Sequence, residues 1–409
     1  MKKFISLFII LFLTWVSKTP AQAQSTDPNF KVAFIGDSSA GNNFQSVLNL
    51  IKAEGAQMVL HQGDFDYSAG PQVWMDKINN TLGPDFPYLG SDGNHDIWDT
   101  DGYAAFFKDR LTKLGIPAPG GILPPSYSAV FKGLKMVFVK ENGDPSFIQS
   151  QLANDTHTWK ICSWHKNMTT MQLGTKGNEQ GWPDYETCRQ YGAIIATGHE
   201  HTYERTKTFS NTANSITNLI IDSTLHPKDA QGVPGNPKNV AVAPGKTFVF
   251  VSGLGGNGPR NQDRCLPTTY PYSGASDCNY IWASVWTTDQ GGSSPFGALF
   301  ITFNYAGNPN KAHAYFKTIS GQVVDEFDIT AGVGGPIPTN TPAQITNTPP
   351  VGGKPGDANG DNKVDGLDYV VWLQNYNKQV TGGAGKGDFN KNGFVDGLDY
   401  VIWLDNYLK

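Results

Sequence analysis

Five times in the first half of the chain, a short apolar run breaks off into a polar cluster, usually headed by glycine. Residues 31–35 lead into Gly36-Asp37, and 58–60 into Gly63-Asp64-Phe65-Asp66-Tyr67. Residues 87–89 lead into Gly93-Asn94-His95-Asp96, 160–163 into Trp164-His165, and 194–196 into Gly198-His199-Glu200-His201. Apolar runs this short, bounded by turn residues, predict buried strands. Between the first two, Phe44, Val47, Leu48 and Ile51 recur at helical spacing and predict a helix over 43–53. Helical stretches near 103–111 and 145–152 continue the alternation, which argues for an α/β core. In open α/β sheets ligands gather beyond the carboxyl ends of the strands, so the five clusters are expected to converge. Later segments, 218–221, 247–251, 299–303, 313–316 and 323–327, alternate like antiparallel strands and predict a mixed second sheet.

The converging side chains are carboxylates, an amide, imidazoles and a phenol. Four of the eight histidines, His95, His165, His199 and His201, fall in these loops, a concentration that packing alone does not require. Oxygen and nitrogen donors of this mixture suit hard or borderline first-row cations. Glycine ahead of a ligand is expected to let the backbone turn sharply at the strand end.

The ordered elements GD, GDxxY, GNHD, a lone His and GHxH resemble the calcineurin-like metallophosphoesterases over about 31–329. Tyr67, three residues after Asp64, and the run His201-Thr202-Tyr203-Glu204-Arg205 sharpen that to the purple acid phosphatases. Many relatives place a histidine two residues after the first aspartate; here that position is Ser39, and Tyr67 is the natural replacement. The resemblance implies a four-layer αββα sandwich with mixed sheets. It implies one cation held by Asp37, Asp64, Tyr67 and His201, a second by Asp64, Asn94, His165 and His199, and Asp64 as the bridge. The ions would be iron paired with iron, zinc or manganese. Phosphomonoesters would be hydrolysed by in-line attack of metal-activated water. His95 would protonate the leaving group, with Asp96 alongside to orient its imidazole. Lys166 and Arg205 are read as phosphate contacts or salt-bridge partners. The glycine-rich 253–258 lacks the lysine and following helix of a P-loop and is expected to be a tight loop at the site rim.

Residues 331–355 are Gly-, Pro- and Thr-rich, a linker composition. Beyond it, 357–376 and 388–407 are two copies of one pattern offset by 31 residues. Asp357, Asn359, Asp361, Asp365 and Asp368 occupy positions 1, 3, 5, 9 and 12 of a loop, repeated by Asp388, Asn390, Asn392, Asp396 and Asp399. That is the spacing of a Ca²⁺ loop, with the backbone carbonyls of Lys363 and Phe394 at position 7. The pair, over 356–409, resembles a dockerin, an all-α module that implies two Ca²⁺ ions and a cohesin-like partner. Tyr369, Trp372, Leu373 and Tyr376, repeated at Tyr400, Trp403, Leu404 and Tyr407, form an aromatic stripe shared between packing and partner.

The N-terminus sets the compartment. Lys2 and Lys3 precede an apolar run over 4–16, and Ala21-Gln22-Ala23 fits a cleavage site, so 1–23 reads as a signal peptide and the mature domain as 27–330. The run is too short for a membrane anchor. A secreted chain with four cysteines is compatible with two disulfides; Cys265 with Cys278 is the favoured pair, while Cys162 and Cys188 read as a disulfide or as buried thiols, three connectivities remaining open. A formal charge of −5, with three lysines and no acid in the leader, gives no bulk attraction to nucleic acid. The same residues also fit a phosphodiesterase or nucleotidase, or a surface binding module whose tail is the main functional part; the complete ligand set argues against the last.

Overall fold

The apolar run at 31–35 becomes β1 (Phe30–Ile35), buried along nearly its whole length, and α1 (Asn42–Ala53) turns Phe44, Val47, Leu48 and Ile51 inward. The structure is a computed structural model that describes residues 24–67, 70–212, 219–230, 232–266, 281–332, 354–360, 363–376, 378–391 and 393–407. The expected signal peptide and most of the linker lie outside the described residues. The chain divides into two compact units, Met1–Ile337 and Pro338–Lys409. No helix among the described residues is long and apolar enough to cross a membrane.

The first unit continues through β2 (Met58–Gln62), α2 (Pro71–Thr81), β3 (Tyr88–Ser91), α3 (Tyr103–Lys113), β4 (Tyr127–Phe131) and β5 (Leu134–Phe138). Then follow α4 (Pro145–Leu152), β6 (Trp159–Ser163), α5 (Trp182–Gln190), β7 (Ile194–Thr197), β8 (Tyr203–Thr206), β9 (Phe209–Asn211) and β10 (Ile220–Ile221). Its last stretch is β11 (Asn239–Val242), β12 (Val249–Ser252), β13 (Trp282–Trp286), α6 (Thr288–Gly291), β14 (Gly297–Phe303), β15 (Lys311–Thr318) and β16 (Val323–Ala331). Two seven-stranded sheets result, ordered β11-β16-β15-β14-β1-β2-β3 and β13-β8-β12-β7-β6-β5-β4. Both are mixed. The late antiparallel strands do not form a sheet of their own: β14 pairs antiparallel with β1, Phe34 opposite Leu299, so the end of the unit closes on its beginning.

Alternation along the strands assigns the layers. In the second sheet Met136, Ile161, Ala196 and Phe250 join the core shared with the first sheet, where Phe34 meets Phe250 edge-on at 5.1 Å and Tyr203 stacks on Phe316 at 4.2 Å. Their neighbours Val137, Cys162, Ile195 and Val249 pack with Ile148 and Leu152 of α4 and Tyr185 and Cys188 of α5 on the other face. Trp74 of α2 lies between Phe44 of α1 and Tyr88 of β3, so helices cover the first sheet as well. The fold is the expected four-layer αββα arrangement. Cys162 and Cys188 form a disulfide that ties β6 to α5. Cys265 is disulfide-bonded too, and its expected partner Cys278 lies outside the described residues.

In the second unit α7 (Gly366–Asn375) and α8 (Gly397–Asn406) follow the two loops, and β17 (Lys378–Gln379) pairs with β18 (Phe394–Val395). The duplication is visible in its bonding. Trp372 donates its indole N–H to the carbonyl of Asp396 at 2.9 Å, and Trp403 donates to that of Asp365 at 3.0 Å. The stripe therefore splits: Trp372 and Trp403 are core, while Leu373, Tyr376, Leu404 and Tyr407 are exposed, as are Leu367, Val370 and Val401 beside them.

Candidate metal centre

The parallel strands β1, β2 and β3 of one sheet and β6 and β7 of the other end on one side, and each delivers its cluster there. Three of the delivered residues adopt left-handed backbone conformations, Asp37 with φ 55°, Asp64 with φ 54° and His199 with φ 71°. Such φ values cost a non-glycine residue about 1–3 kcal/mol and persist where surrounding structure enforces them. The glycines ahead of them act chiefly through closeness. A Cβ on Gly63, itself at φ +80°, would lie 2.7 Å from the His165 ring, and one on Gly198 would lie 3.0 Å from Asp37 Oδ2. Without those side chains the five loops can meet.

What meets is a tight set of donors around one carboxylate oxygen. Asp64 Oδ2 accepts a hydrogen bond from Tyr67 Oη at 2.8 Å and stands 3.2 Å from His165 Nε2. Tyr67 Oη also reaches Asp37 Oδ1 at 3.1 Å and His201 Nε2 at 3.2 Å, with Asp37 Oδ1 3.3 Å from His201 Nε2. On the other side His165 Nε2 faces His199 Nδ1 at 3.1 Å. Asp64, His165 and His199 offer ligand atoms all within 4.8 Å of one another, and all three are buried.

Each imidazole is held from behind. His165 Nδ1 donates to Gln62 O and His201 Nδ1 to Gly258 O, both at 2.7 Å, while His199 Nε2 lies 2.8 Å from Glu179 Oε2. With the outer nitrogens donating, the inner ones turn lone pairs on one another and on two carboxylates. That arrangement is repulsive unless a proton or a cation sits within it, and so the donor set fits metal ions.

The electrostatics agree. Burial alone would depress His165, but the charge and hydrogen bond of Asp64 prevail and raise it to about 9, so an imidazolium proton stands in for a cation. Burial and then the charge on His165 lower His199 to about 2, leaving it neutral. Asp64 is held well below the usual carboxylate range: His165 outweighs the cost of burial. Burial, then the charges of Asp37 and Asp64, push the Tyr67 phenol far up.

His95 is exposed at the mouth, its ring 4.5 Å from that of Tyr67, and its backbone N–H donates to Asp64 Oδ1 at 3.0 Å. Asn94, one residue earlier, is exposed at the same rim and stands apart from the hydrogen-bonded cluster. Asp96 departs from expectation. Instead of facing the His95 imidazole, its carboxylate accepts backbone N–H groups from Gly93 and Asp64, both at 2.8 Å, and from Phe65 at 2.9 Å. Its neighbour in sequence offers one ring, whereas the folded loop offers three aligned donors.

Lys166 pairs with Glu141 and lies 3.7 Å from Glu179, and Arg205 is buried against Asp325, so both take the salt-bridge alternative. The 253–258 loop does line the rim: Gly255 N donates to Gly36 O and Asn257 N to Asp37 O, both at 2.9 Å. Three neighbours of the site escape a sequence reading. Asn257, whose backbone N–H donates to Asp37 O, lies close to the Tyr67 phenol, Lys176 Nζ donates to the carbonyl of His199, and Glu179 backs the His199 ring. Only Asn257 had a signal, the glycines around it.

In the tail, the wholly buried Asp368 accepts from Ala358 N at 2.8 Å, Asn359 N at 3.1 Å and Asp365 N at 2.8 Å, and Asp399 repeats this with Asn390 N and Asp396 N, both at 2.9 Å. Asp357 takes Gly360 N and Asp388 takes Gly393 N, so each loop curls around its first carboxylate. Asp361 and Asn392 lie outside the described residues. Carboxylates and amides on alternate positions of loops curled in this way fit a hard cation.

Residues 30–203 match the family model for calcineurin-like phosphoesterases, and 355–409 match that for the dockerin type I domain. No curated protein matches the chain. Among solved structures the chain is similar to the purple acid phosphatase PPD1 isolated from yellow lupin (Lupinus luteus) seeds, at 18% identity and a TM-score of 0.48, covering 75% of this chain and 55% of that one. It thus spans little more than half the length of that protein. It is also similar to PhoD, at 10% identity and a TM-score of 0.42, covering 76% of this chain and 74% of that one. A third similarity is to GAP50, the anchor in the inner membrane complex of Plasmodium, at 13% identity and a TM-score of 0.41, covering 74% of this chain and 89% of that one.

Proposed function

We propose that this chain, a calcineurin-like phosphoesterase at 30–203 joined to a type I dockerin at 355–409, is a secreted dinuclear phosphomonoesterase of the purple acid phosphatase type. The observation that carries the reading is Asp64 Oδ2, placed 2.8 Å from Tyr67 Oη and 3.2 Å from His165 Nε2, so that one oxygen adjoins two donor groups. Asp37, Tyr67 and His201 would complete one group, and Asn94, His165 and His199 the other. Two cations held there would supply Lewis acidity toward the phosphoryl oxygens and a water nucleophile at neutral pH.

The remaining roles belong to the chain itself. His95, exposed and in contact with the Tyr67 ring, delivers a proton to the departing oxygen. Asp96 fixes the loop that presents both Asp64 and His95. The leader directs export, the tail folds around two Ca²⁺ ions, and the exposed Leu367, Val370, Leu373, Val401 and Leu404 give it an apolar face for a cohesin-like partner.

The test is metal analysis of purified mature protein together with hydrolysis of p-nitrophenyl phosphate and its bis ester. Two transition-metal ions per chain, counted apart from Ca²⁺ in the tail, and preference for the monoester are expected. Preference for the diester would replace the phosphatase assignment with a phosphodiesterase, and absence of bound metal with inactivity would remove the enzyme reading.

A further inference from the structure

The three ligand histidines are backed unequally. His165 and His201 each donate their outer N–H to a neutral backbone carbonyl at 2.7 Å, whereas His199 meets a carboxylate, Glu179 Oε2, at 2.8 Å. A carbonyl fixes the tautomer. A carboxylate fixes it and also increases the electron donation of the opposite nitrogen, here Nδ1, which faces the cluster.

Glu179 reaches that ring because the chain returns to it. After His165 the backbone leaves the site and comes back fourteen residues later, and Asn167 closes the excursion. Its side-chain N–H donates to Gly198 O at 2.7 Å, its own carbonyl accepts from Glu179 N at 3.1 Å, and its side chain is wholly buried. A second tie, Thr169 N to Asn178 Oδ1 at 2.9 Å, holds the strap further out. Asn167 thereby pins the backbone just before His199 and the backbone of Glu179 to one another. Lys166 stands between Glu141 and Glu179, 3.7 Å from the latter, and holds the carboxylate from its far side.

We propose that Glu179, carried on the 167–179 strap, is the positioning residue that sets the affinity of the second cation through His199. This rests on the dinuclear reading above. It assigns the two cation sites different dependence on residues outside their ligands, since neither His165 nor His201 has an equivalent carboxylate behind it.

The experiment is competitive chelator titration of full-length protein, with transition-metal content measured, Ca²⁺ counted separately, on wild type, Glu179→Ala and Glu179→Gln. In the alanine variant, affinity for one of the two cations should fall about 10- to 100-fold while the other is retained. The glutamine variant keeps an acceptor but loses the charge and should fall in between. Thermal unfolding of the metal-free forms should be alike. Two cations bound with wild-type affinity in Glu179→Ala would overturn the inference, as would equal weakening of both with a lowered melting temperature. If wild type takes up fewer than two transition-metal ions, the dinuclear reading itself fails, and the inference with it.

Discussion

Arg205 on β8 grips Asp325 on β16 at two points, Nε to Oδ2 at 2.7 Å and Nη2 to Oδ1 at 3.0 Å, and so joins the two sheets through the middle of the sandwich. Tyr203 donates to the same Oδ2 at 2.7 Å, and the guanidinium lies 3.9 Å from the Phe327 ring. The arginine of the His-Thr-Tyr-Glu-Arg run is therefore a structural clamp behind the site. Both partners are almost wholly buried, and removing one strands the other's charge. Asp325→Ala should cost about 3–5 kcal/mol in urea unfolding, with turnover of the folded fraction little changed. Unaltered stability would show that the pair is dispensable.

Glu204, between those residues in sequence, should make stability depend on pH. Its side chain is wholly buried, with Oε1 accepting from Thr202 at 2.6 Å and from Leu173 N at 3.0 Å. Burial chiefly, and then the charge on Glu200, push its carboxyl up to about 8. The folded chain keeps a proton that the unfolded chain has released above about 4.5, so the stabilisation is complete below that pH and is lost as pH rises through 8. Between those limits the group erodes stability by about 1.4 kcal/mol per pH unit. Glu204→Gln keeps both contacts to Oε1 and cannot ionise, so its stability relative to wild type should improve by a few kcal/mol from pH 5 to pH 8. A constant difference across that range would refute the assignment.

Tyr67 should report the metal directly. Half-buried beside Asp37 and Asp64, its phenol stays protonated in the metal-free protein, and ionisation needs a cation at its oxygen. A ferric ion there would give a visible phenolate charge-transfer band, which Tyr67→Phe should abolish. A colourless, iron-free protein of full activity would exclude iron at that position and leave the phosphoesterase reading intact.

His95 and Asp96 should separate on substitution. The His95 ring lies outside the donor cluster, so His95→Ala should lower turnover about 10²- to 10⁴-fold with metal content unchanged, and less for esters with good leaving groups. Asp96 holds the backbone of Gly93, Asp64 and Phe65. Asp96→Ala should therefore release metal as well as activity. Metal loss in the histidine variant, or full metal in the aspartate variant, would reverse these roles.

Local signals account for what the sequence discloses. The strands β1, β2, β3, β6 and β7 are apolar runs cut short by polar turns, and seven metal-site candidates stand at or just beyond such ends. The structure gathers Asp37, Asp64, Tyr67, His165, His199 and His201 within hydrogen-bond distances of one another, with Asn94 at the rim. Strand β8, Tyr-Glu-Arg-Thr, hides because its two charged residues are buried, Arg205 against Asp325 from 120 residues away and Glu204 against Thr202 and the backbone of Leu173. Helix α2 hides because Trp74, Met75 and Ile78 are diluted by polar neighbours. The pairing of β14 with β1 has no local trace at all. Glu179 and Asn257 come from loops without recurring spacing, and only the closure of the strap and the rim brings them to the ligands.

The tail should respond to Ca²⁺ independently of catalysis. The chain partitions into two units, and the boundary falls within the 331–355 stretch whose composition marks a linker. Deleting everything after Ala331 should leave hydrolysis of a soluble ester nearly unchanged. Within the tail, Asp368 and Asp399 each draw in the backbone N–H groups of their own loop, and the same loops carry Asp357, Asp365, Asp388 and Asp396. Acids gathered this closely repel one another until a cation enters, so metal binding and folding are coupled. The five-residue core of Val364, Trp372, Phe389, Val395 and Trp403 is small, and so its stability should lean on the ions. Ca²⁺ should raise the melting temperature of the isolated tail, and the double variant Asp368→Ala, Asp399→Ala should lose that response. Each tryptophan is bonded to the opposite loop, so substituting one loop alone should also weaken Ca²⁺ binding at the other. A tail equally folded in chelator would mean that the two helices and their tryptophans suffice without metal.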